Sequence, residues 1–556
     1  MINIRYQNDS EDIVTRLLKV RGLHTQESQS NFLQPNFKNA WYSPRYLNDM
    51  DKAIARILHA IRANQKIMIF GDYDADGVTS SYVLYDFFRT FVRYSDISVQ
   101  LPHRLEDGYG IKSYHLDQMK AKGVQLVITV DNGITSVQEA LHASKIGIDM
   151  VITDHHQPLN TDGQIIIPSA CAVVNPQISP EYPFNGLCGA WVAFKVIMAL
   201  SDKLWFDDNL KKQILYRYLP IVAIGTVSDC VPLLEENRLF VKKGLELINS
   251  DHPYIPKSLK GLLEFFNLHK KPIDTMDIGF MIGPRLNAAG RMLSAYEAFY
   301  ALLFTGEKQQ GYLEKLGGLN TERKWIQDGM IKQAIDEINT EDKILISCKD
   351  KQEYHEGIIG IVAGRLTEQF HKPSMILSID SEKGIGVASL RGPEYFSVID
   401  MLYQMAPHLE RFGGHKQAGG LTVKVEHIDA LVRDMVSYCN GLVTDDMLHK
   451  KTHVDTILHE RDMDVKNFLM IDNLRPFGEG NREPVLLLQN AVIKHKQTMG
   501  KKNKSHLKLY TQVGNKVVEV IQWNQWDKIG DFALNESYDL VVSHRWDGDN
   551  RYLAGE

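Results

Sequence analysis

Short apolar runs that end in acidic or imidazole side chains recur along the first half of this chain. Four runs share the pattern: "KIMIF" before Asp72, Asp74 and Asp76, "VQLVITV" before Asp131, "GIDMVIT" before Asp154, His155 and His156, and "YLPIVAIGTVS" before Asp229. Such runs are typical of strands buried on both faces of a parallel sheet. Segments with helix-like spacing, "VTSSYVLYDFFRTFV" and "TSVQEALHAS", follow the first two. The pattern predicts an α/β fold in which all four runs are strands.

The ends of parallel strands meet at one edge of the sheet, so these side chains are expected to form one cluster. Several carboxylates and an imidazole in one cleft cannot all keep their charge without a counter-charge. Oxygen ligands suit Mg²⁺ or Mn²⁺, and an added imidazole favours Mn²⁺. Two such ions can activate water against a phosphoryl group. Any one aspartate alone is better explained as a turn or helix-cap residue, but the set predicts metal-assisted phosphoester or phosphoanhydride hydrolysis.

The composition is that of an ordinary globular protein. A chain of 556 residues is larger than one core usually supports, so two to four domains are expected. The polar start "MINIRYQNDSEDIV" lacks the features of a signal peptide, and no apolar run predicts a membrane span. The five cysteines form no CxxC pair, which favours a reducing, cytoplasmic location. Because the net charge is −6, binding a nucleic acid would require positive charge gathered in one groove.

The order and spacing of "DYDADG", "VDNG", "TDHH" and "VSD" resemble the four motifs of the DHH phosphoesterase superfamily. Further segments resemble its bacterial single-strand-specific DNA exonucleases: "GPRLNAAGRM", "YHEGIIGIVAGRL", "SLRG", "GGHKQAGG" and "PFGEGNREP". Together they cover most of the chain. Pyrophosphatase-like members carry a histidine four residues before the first matched aspartate, where this chain has Phe70. That difference favours the exonuclease branch.

The resemblance implies a role for each side chain of the cluster. The implied ligands of two divalent ions, Mn²⁺ or Mg²⁺, are Asp74, Asp76, Asp131, His155 and Asp229. His156 would bind the scissile phosphate and assist the leaving group, and Asp154 would orient His155. Asp72 precedes the matched pair and is expected either beside the ligands or in the turn.

The resemblance also implies contacts with the phosphates of the terminal nucleotides. The implied residues are Arg285, Asn287 and Arg291 in "GPRLNAAGRM", with Ser389, Arg391 and His415 in a separate DHH-associated domain. The helix-like "EGIIGIVAGRLTEQF" has glycines near its start, where backbone N–H groups form a natural anion site. "FGGHKQAGG" is interpreted as a glycine-dense loop around His415. Without the resemblance, Arg285 and Arg291 would be assigned to surface salt bridges, and the loop would be explained equally well as a plain turn.

The last hundred residues change to strand-like runs, with a hairpin turn expected at Val513, Gly514 and Asn515. A small β-barrel is predicted, and the resemblance implies an OB-like domain that binds single strands. Lys501, Lys502 and Lys504 lie in a basic segment that either contacts nucleic acid or is a solvated loop. The separated aromatic residues are expected in the core rather than as stacking platforms: Tyr510, Trp523 and Trp526.

We therefore predict an α/β multi-domain fold: a DHH catalytic domain with a parallel sheet, a helical connector, a smaller α/β DHH-associated domain and a C-terminal OB-like β-barrel. The predicted boundaries are 1–45 for an N-terminal arm that packs on the catalytic domain, 46–235 for the catalytic domain, 236–340 for the connector, 341–445 for the substrate-binding domain and 446–556 for the barrel. Within the connector, about 307–339 is expected to be one long helix, either a spacer or a packed bundle helix.

The expected function is 5′→3′ exonuclease activity that releases mononucleotides from single-stranded DNA in repair and recombination. The resemblance also implies two partners, a single-strand-binding protein and a RecQ-type helicase. Three alternatives stay open: a DHH phosphodiesterase of short RNA or cyclic dinucleotides, a non-catalytic single-strand-binding scaffold, and a barrel that docks proteins instead of DNA.

Overall fold

The computed structural model describes residues 2–161, 163–500, 505–547 and 550–555. These residues fold into two compact units. One unit contains residues 44–229 and 247–450, and the other contains 1–43, 230–246 and 451–556. Within the described ranges, no helix is both long enough and apolar enough to cross a membrane.

The part of the first unit that was predicted to be catalytic is built on a five-stranded sheet in which every neighbouring pair is parallel. The strands lie in the order Ile97–Gln100, Ile67–Phe70, Leu126–Val130, Asp149–Thr153 and Ala172–Val174. Three of the four predicted strands are therefore confirmed. Phe70 is paired with Thr129, and Val130 with Thr153, so these strands end side by side. Their following residues are delivered to one edge of the sheet.

The fourth run, which ends at Asp229, was predicted to be a strand, and this is wrong. Residues Asp208–Ser228 form one helix, with Pro220 inside it and Asp229 at its C-cap. The stretch 218–226 is buried on all sides. A helix without a solvent-exposed face shows no amphipathic period, so its apolar run cannot be distinguished from a buried strand.

Helices cover this sheet and continue into the connector: Met50–Arg62, Ala75–Phe87, Ser113–Ala121, Val137–Lys145, Gly189–Lys203, Asp208–Ser228, Lys257–Phe265, Thr275–Asp277, Gly283–Met292, Tyr296–Leu303 and Gly306–Glu337. A small hairpin pairs Leu159–Thr161 with Gln164–Ile166. The long connector helix is confirmed at Gly306–Glu337. Gln309 at one end donates to the carbonyl of Ala301 at 2.9 Å, and Met330 at the other end lies in a core with Val362. The helix is therefore packed near both ends and also spans the unit.

The DHH-associated part carries a mixed sheet in the order Leu409–Gly414, Ala418–Lys424, Ile385–Arg391, Ser374–Asp380 and Leu345–Asp350. Its helices are Ile359–Phe370, Val398–Gln404, Ile428–Leu442 and Asp445–Leu448. The predicted glycine loop around His415 is instead the tip of a β-hairpin, with Gly413 paired to Gly420 and Gly414 to Gly419. A side chain at Gly419 would approach Leu402 to 2.8 Å, so glycine lets this strand pack closely on a helix.

The second unit contains the predicted barrel. Its strands are Thr456–Ile457, Val485–Met499, His506–Val513, Lys516–Gln522, Ser537–Asp547 and Asn550–Gly555. Pairing of Val485–Met499 with Ser537–Asp547 closes the barrel, and the hairpin turn at Gly514 and Asn515 is confirmed. A helix Val465–Asp472 lies between the strands Thr456–Ile457 and Val485–Met499. A helix Glu235–Ile248 begins in this unit.

The N-terminal residues belong to this same unit, which differs from the predicted arm on the catalytic domain. The strand Ile2–Ile4 pairs with Thr452–Val454, and two helices follow at Ile13–Val20 and Gln26–Leu33. Ile13 and Leu17 lie in one core with barrel residues. The segment was misassigned because its apolar residues are too sparse to indicate which core they complete.

Candidate active site

The loop after the first strand folds its aspartates around the start of a helix. Asp74 is the N-cap of the helix Ala75–Phe87, and its Oδ1 accepts from the backbone N–H groups of Asp76 and Gly77, each at 3.0 Å. Asp72 is buried beside them, at 3% exposure. A Cβ at Gly77 would lie 2.6 Å from that of Asp72, so glycine permits this close turn. Asp74 therefore caps a helix, as is expected of a single aspartate. It also belongs to a cluster of carboxylates with Asp72 and Asp131.

Asp76 points away from its own helix toward another. Its carboxylate accepts from the backbone N–H of Gly189 at 2.6 Å and of Ala190 at 3.0 Å, at the start of the helix Gly189–Lys203. The positive end of a helix dipole stabilises a carboxylate placed there. A Cβ at Gly189 would lie 2.5 Å from Cβ of Asp131, so glycine also allows the helix to approach the next acid. The strand-end loop and this helix thus fix Asp76 and Asp131 together.

His155 lies at the centre of the predicted ligands. Its Nε2 is 3.1 Å from Oδ1 of Asp131, 3.5 Å from Oδ2 of Asp229 and 4.0 Å from Oδ2 of Asp76. Three of these buried atoms have no hydrogen-bond partner among the described residues: Nε2 of His155, Oδ1 of Asp131 and Oδ2 of Asp229. Although Asp229 comes from a helix, it meets the strand-end residues in the same cluster. Buried polar atoms in native proteins are normally satisfied, so this gap requires an explanation.

The cluster is electrostatically unfavourable when it contains only protein atoms. Burial, together with the charge of Asp74, raises the pKa of Asp76 to about 6. Burial and neighbouring carboxylates raise the pKa values of Asp72, Asp131 and Asp229 well above the usual range. Burial lowers the pKa of His155 to about 4, so its ring is neutral at pH 7 and has a lone pair to offer. A neutral imidazole among carboxylates is the donor set of a cation site.

The residues fit the divalent metals that the sequence predicted. Three overlapping groups of donors lie within 4.8 Å: Asp72, Asp74 and Asp131; Asp76, His155 and Asp229; and Asp131, His155 and His156. Oxygen donors with one or two imidazole nitrogens suit Mn²⁺ or Mg²⁺. A cation would give the unpartnered oxygens and the Nε2 atom their missing partner. The structure therefore brings the five predicted ligands together and adds Asp72 to their neighbourhood.

Removing divalent metal is expected to make stability fall as pH rises. The raised carboxylate pKa values contribute stability below about pH 4, and this is lost as pH rises through the folded pKa, which is about 6 for Asp76. Between about pH 4 and pH 6, the range set by the raised pKa of Asp76, the metal-free protein should lose on the order of 1–3 kcal/mol of folding free energy. Denaturant melts with a chelator measure this loss, and saturating Mn²⁺ should remove most of the slope. Identical pH slopes with and without metal would contradict the site.

Asp154 holds the ring of His156 and not that of His155, which corrects the predicted pairing. Oδ1 of Asp154 lies 2.8 Å from Nδ1 of His156, and it accepts from the His155 backbone N–H at 2.7 Å. Burial disfavours the charged ring, but the hydrogen bond and charge of Asp154 outweigh it and raise the pKa of His156 to about 9. The ring is therefore protonated at neutral pH. With Nδ1 engaged, Nε2 is the edge that can face a substrate.

Tyr109 is part of this site and was missed by the sequence reasoning. Its hydroxyl lies 3.0 Å from Nδ1 of His156 and donates to the carbonyl of Asp131 at 3.3 Å. Burial, followed by the charges of Asp154 and Asp131, raises the pKa of Tyr109 well above its ordinary value, so the hydroxyl keeps its proton. The only local signal was a tyrosine between two glycines in "DGYG".

Ser389, Arg391 and Arg291 all lie near the start of one helix. Arg391 donates to Oγ of Ser389 at 3.1 Å, and a Cβ at Gly360, in the first turn of the helix Ile359–Phe370, would lie 2.9 Å from that Oγ. Arg291 donates to the carbonyl of Gly357 at 3.0 Å. This end of the helix therefore combines backbone N–H groups with two guanidinium groups.

Arg104 is a further basic residue here that the sequence reasoning missed. Burial, followed by the positive charge of Arg104, lowers the pKa of Arg291 to about 9 and also lowers that of Arg391. The Arg104 guanidinium lies 4.7 Å from the ring centre of Tyr73, within the acidic loop. Arg104 therefore concentrates positive charge with Arg291 and Arg391 beside the acidic cluster, although the net charge of the chain is −6.

The other three predicted substrate residues have different surroundings. Asn287 accepts through its amide oxygen from the Ala75 backbone N–H at 2.8 Å, so it supports the acidic loop. Arg285 lies over the ring of Phe266 at 4.5 Å and donates to the carbonyl of Met281 at 2.6 Å. His415 is exposed at the hairpin tip. Their roles in substrate binding stay predictions.

The predicted nucleic-acid segment Lys501, Lys502 and Lys504 lies outside the described residues. Nearby on the barrel, the ammonium of Lys508 lies 5.1 Å from the ring centre of Tyr510, which is half-buried. Trp523 is 44% exposed and Trp526 is 53% exposed, so the prediction that they are core residues is wrong. Both residues follow the strand Lys516–Gln522. Exposed apolar side chains are common on protein surfaces, so aromatic character alone did not place them in the core.

Three family models match successive parts of the chain. The DHH family N-terminal domain matches residues 66–226, the DHHA1 domain matches 341–441 and the RecJ OB domain matches 454–550. The chain is 33% identical over 544 residues to the single-stranded-DNA-specific exonuclease RecJ of Bacillus subtilis, covering 94% of this chain and 66% of that protein. It is 31% identical over 544 residues to the Escherichia coli protein of the same name, covering 90% of each.

A crystal structure of RecJ from Thermus thermophilus in complex with Mn²⁺ has the same fold. Its TM-score is 0.80 at 24% identity, with 98% of this chain and 74% of that chain covered. A second structure of that protein, in complex with Mg²⁺, has a TM-score of 0.74. The predicted fold of DHH, DHH-associated and OB-like domains is thereby confirmed, while its domain boundaries stay predictions.

The fold and the acidic cluster define a metal-dependent phosphoesterase of the DHH type. The donor set of the cluster suits a divalent cation. The sequence identity of 31–32% to RecJ proteins over most of the chain narrows this class to one family. The chain belongs to the RecJ family of single-stranded-DNA-specific exonucleases.

Proposed function

We propose that the chain removes mononucleotides from single-stranded DNA in the 5′→3′ direction by metal-assisted hydrolysis. One observation carries the chemistry: buried, unpartnered donor atoms of Asp131, His155 and Asp229 converge on one point. The names of the curated relatives supply the substrate class, single-stranded DNA. The polarity and the mononucleotide product rest on the family resemblance.

The chain's own residues have separable tasks in this proposal. Asp74, Asp76, Asp131, His155 and Asp229 would hold two divalent ions, with Asp72 beside them. Such ions, when bound, supply a hydroxide nucleophile and neutralise developing charge on the phosphoryl oxygens. His156, kept protonated by Asp154, would donate from Nε2 to the phosphate and to the leaving oxygen. Asp154 keeps that ring oriented through Nδ1.

The arginine group supports attack at a strand end. Arg104 lies close enough to Arg291 and Arg391 for its charge to lower the pKa of both, and Ser389 and the start of a helix are close to Arg391. A terminal phosphate carries more negative charge than an internal one, so this site would favour a strand that ends there. Anchoring the end would place the first phosphodiester bond over the acidic cluster.

Two other functions are less well supported. A phosphodiesterase of short RNA or cyclic dinucleotides would not require the closed barrel that the second unit provides. A non-catalytic scaffold would not require the unpartnered buried donors of the cluster. We further propose a cytoplasmic role in DNA repair and recombination, with a single-strand-binding protein and a RecQ-type helicase as partners. These proposals rest on the family resemblance.

Digestion of end-labelled DNA tests the proposed function. With Mn²⁺, a 5′-labelled single strand should release its label as a mononucleotide from the earliest times, and a 3′-labelled strand should shorten progressively. A chelator should stop both reactions, and a blunt duplex should resist. Faster turnover of dinucleotides than of long single strands would overturn the choice of substrate.

Replacing Arg391 with Ala should weaken recognition of the strand end. Because a guanidinium binds phosphate through two hydrogen bonds, we expect KM to rise by about 10–100-fold for 5′-phosphorylated DNA. The ratio of rates on 5′-phosphorylated and 5′-hydroxyl strands should fall toward one. Arg365 lies on the helix Ile359–Phe370 and pairs with Glu368 on the exposed surface, so R365A is the control. An unchanged ratio in R391A would contradict an end-binding role.

A further inference from the structure

Asp131 is held in the left-handed backbone conformation. Its φ is +62°, in the left-handed region, where non-glycine residues are uncommon. Such conformers cost about 1–3 kcal/mol each and persist only where the surroundings impose them. The backbone N–H of Asp131 donates to the Thr153 carbonyl at 3.1 Å, which anchors one side of the residue to the sheet. Its carbonyl must be held separately, because the following residues turn away from the strand.

The Tyr109 hydroxyl is the group that contacts this carbonyl, at 3.3 Å. The same oxygen lies 3.0 Å from Nδ1 of His156, and the two rings meet edge to face with centres 5.4 Å apart. Tyr109 is carried between Gly108 and Gly110, whose φ values of +69° and +78° shape the loop. One hydroxyl thus joins a proposed metal ligand to the proposed proton donor.

The donors and acceptors in this contact can be assigned. Nδ1 of His156 faces the Asp154 carboxylate at 2.8 Å, so the proton on that edge belongs to Nδ1. The Tyr109 oxygen therefore presents a lone pair to the Nδ1 hydrogen, and its own hydrogen is free for the Asp131 carbonyl. The single Nδ1 hydrogen is then shared between the Asp154 carboxylate and the Tyr109 oxygen, and the Tyr109 hydrogen is donated to the Asp131 carbonyl.

We propose that the Tyr109 hydroxyl is a positioning group that holds Asp131 and His156 in one arrangement. The inference rests on the proposed function, because it assigns Tyr109 to the site that performs hydrolysis. Tyr109 acts through Asp131 and His156 and needs no contact with the reacting atoms. Its hydroxyl, more than its ring, carries this role, since only the hydroxyl reaches both partners.

The test compares Y109F with the wild-type chain. Phenylalanine keeps the ring against His156 and removes one oxygen atom. Partners of metal ligands typically contribute 10–100-fold, so we expect the Mn²⁺ dissociation constant to rise by about 10-fold in Y109F. For digestion of single-stranded DNA, kcat should fall by a similar factor while KM stays within about two-fold. Mn²⁺ affinity is measured by calorimetry on the full chain without DNA.

Tyr395 provides a matched control in the DHH-associated part. Its hydroxyl donates at 2.7 Å to the carbonyl of His371, another residue with a positive φ, of +53°. The rings of Tyr395 and His371 also meet edge to face, with centres 5.3 Å apart. Y395F therefore removes the same kind of contact from a similar setting without touching the acidic cluster. Its Mn²⁺ affinity and kcat should equal those of the wild-type chain.

Wild-type Mn²⁺ affinity in Y109F would overturn the proposal, and so would equal losses in Y109F and Y395F. Should Y109F lose affinity only through poor folding, its unfolding free energy with a chelator would fall more than that of Y395F, which also counts against the proposal. The metal measurement is independent of the substrate. If the wild-type chain failed to digest single strands, the proposed function would fail while the affinity comparison still decided the role of Tyr109.

Discussion

Replacing Asp131 with Asn is expected to lower hydrolysis of single-stranded DNA by at least about a thousand-fold, or about 4 kcal/mol of transition-state stabilisation. Oδ1 of Asp131 lies 3.1 Å from Nε2 of His155 and has no hydrogen-bond partner among the described residues. Asparagine retains the shape and tolerates the left-handed backbone at this position, so the loss can be ascribed to the missing charge. Single-turnover digestion with saturating Mn²⁺ measures the change.

The same variant should be more stable than the wild-type chain when metal is absent. Burial and the neighbouring carboxylates raise the pKa of Asp131 well above its usual range, so its charge opposes folding at neutral pH. D131N removes this repulsion and should gain on the order of 1–3 kcal/mol in unfolding free energy at pH 8 with a chelator. A variant that lost activity and also stability would indicate a structural role for Asp131. Retained hydrolysis would show that the site is wrongly assigned.

Replacing His156 with Asn is expected to lower kcat by about 10²–10⁴-fold while Mn²⁺ affinity stays near that of the wild-type chain. The asparagine amide can still donate to Asp154 in place of Nδ1, which now lies 2.8 Å away. It offers nothing in place of Nε2, the edge proposed to protonate the leaving oxygen. H156N thus separates proton donation from metal binding, whereas D131N should impair both.

The pH profile gives this variant a second readout. Because Asp154 raises the pKa of His156, the ring is charged at neutral pH and loses its proton as pH rises, so wild-type kcat should have an alkaline limb. H156N should lack that limb. The control is H142N, since His142 pairs with Asp117 at 2.7 Å on the helix Val137–Lys145, and neither residue belongs to the proposed site. An unchanged kcat in H156N would contradict the proton-donor role.

The strand-end part of the site could be predicted from sequence because local pattern and position agree there. Runs such as Ile67–Phe70 and Leu126–Val130 are too short for typical helices, and an aspartate follows each within two residues. Parallel pairing then places Asp131 and Asp154 at one edge. Asp229 was correctly placed in the cluster but on the wrong element, since the helix Asp208–Ser228 is buried through its apolar stretch.

Contacts between distant loops could not be predicted. Tyr109 and Arg104 reach the site through a loop with no periodic pattern, and nothing in their neighbours indicates which cluster they face. Asp154 was assigned to His155 by the usual pairing of carboxylates with metal-bound histidines. The chain reverses so closely after the strand that Oδ1 instead reaches the ring two residues on. Such choices depend on side-chain direction, which spacing alone does not specify.

Mn²⁺ binding by the full chain in the absence of DNA tests the central claim most directly. Electron paramagnetic resonance titration of free Mn²⁺ counts the ions bound per chain. The acidic cluster, with its three overlapping donor groups, predicts two bound ions in the wild-type chain and fewer in D131N. Binding that is absent in the wild-type chain, or identical in D131N, would contradict a two-metal centre built on Asp131.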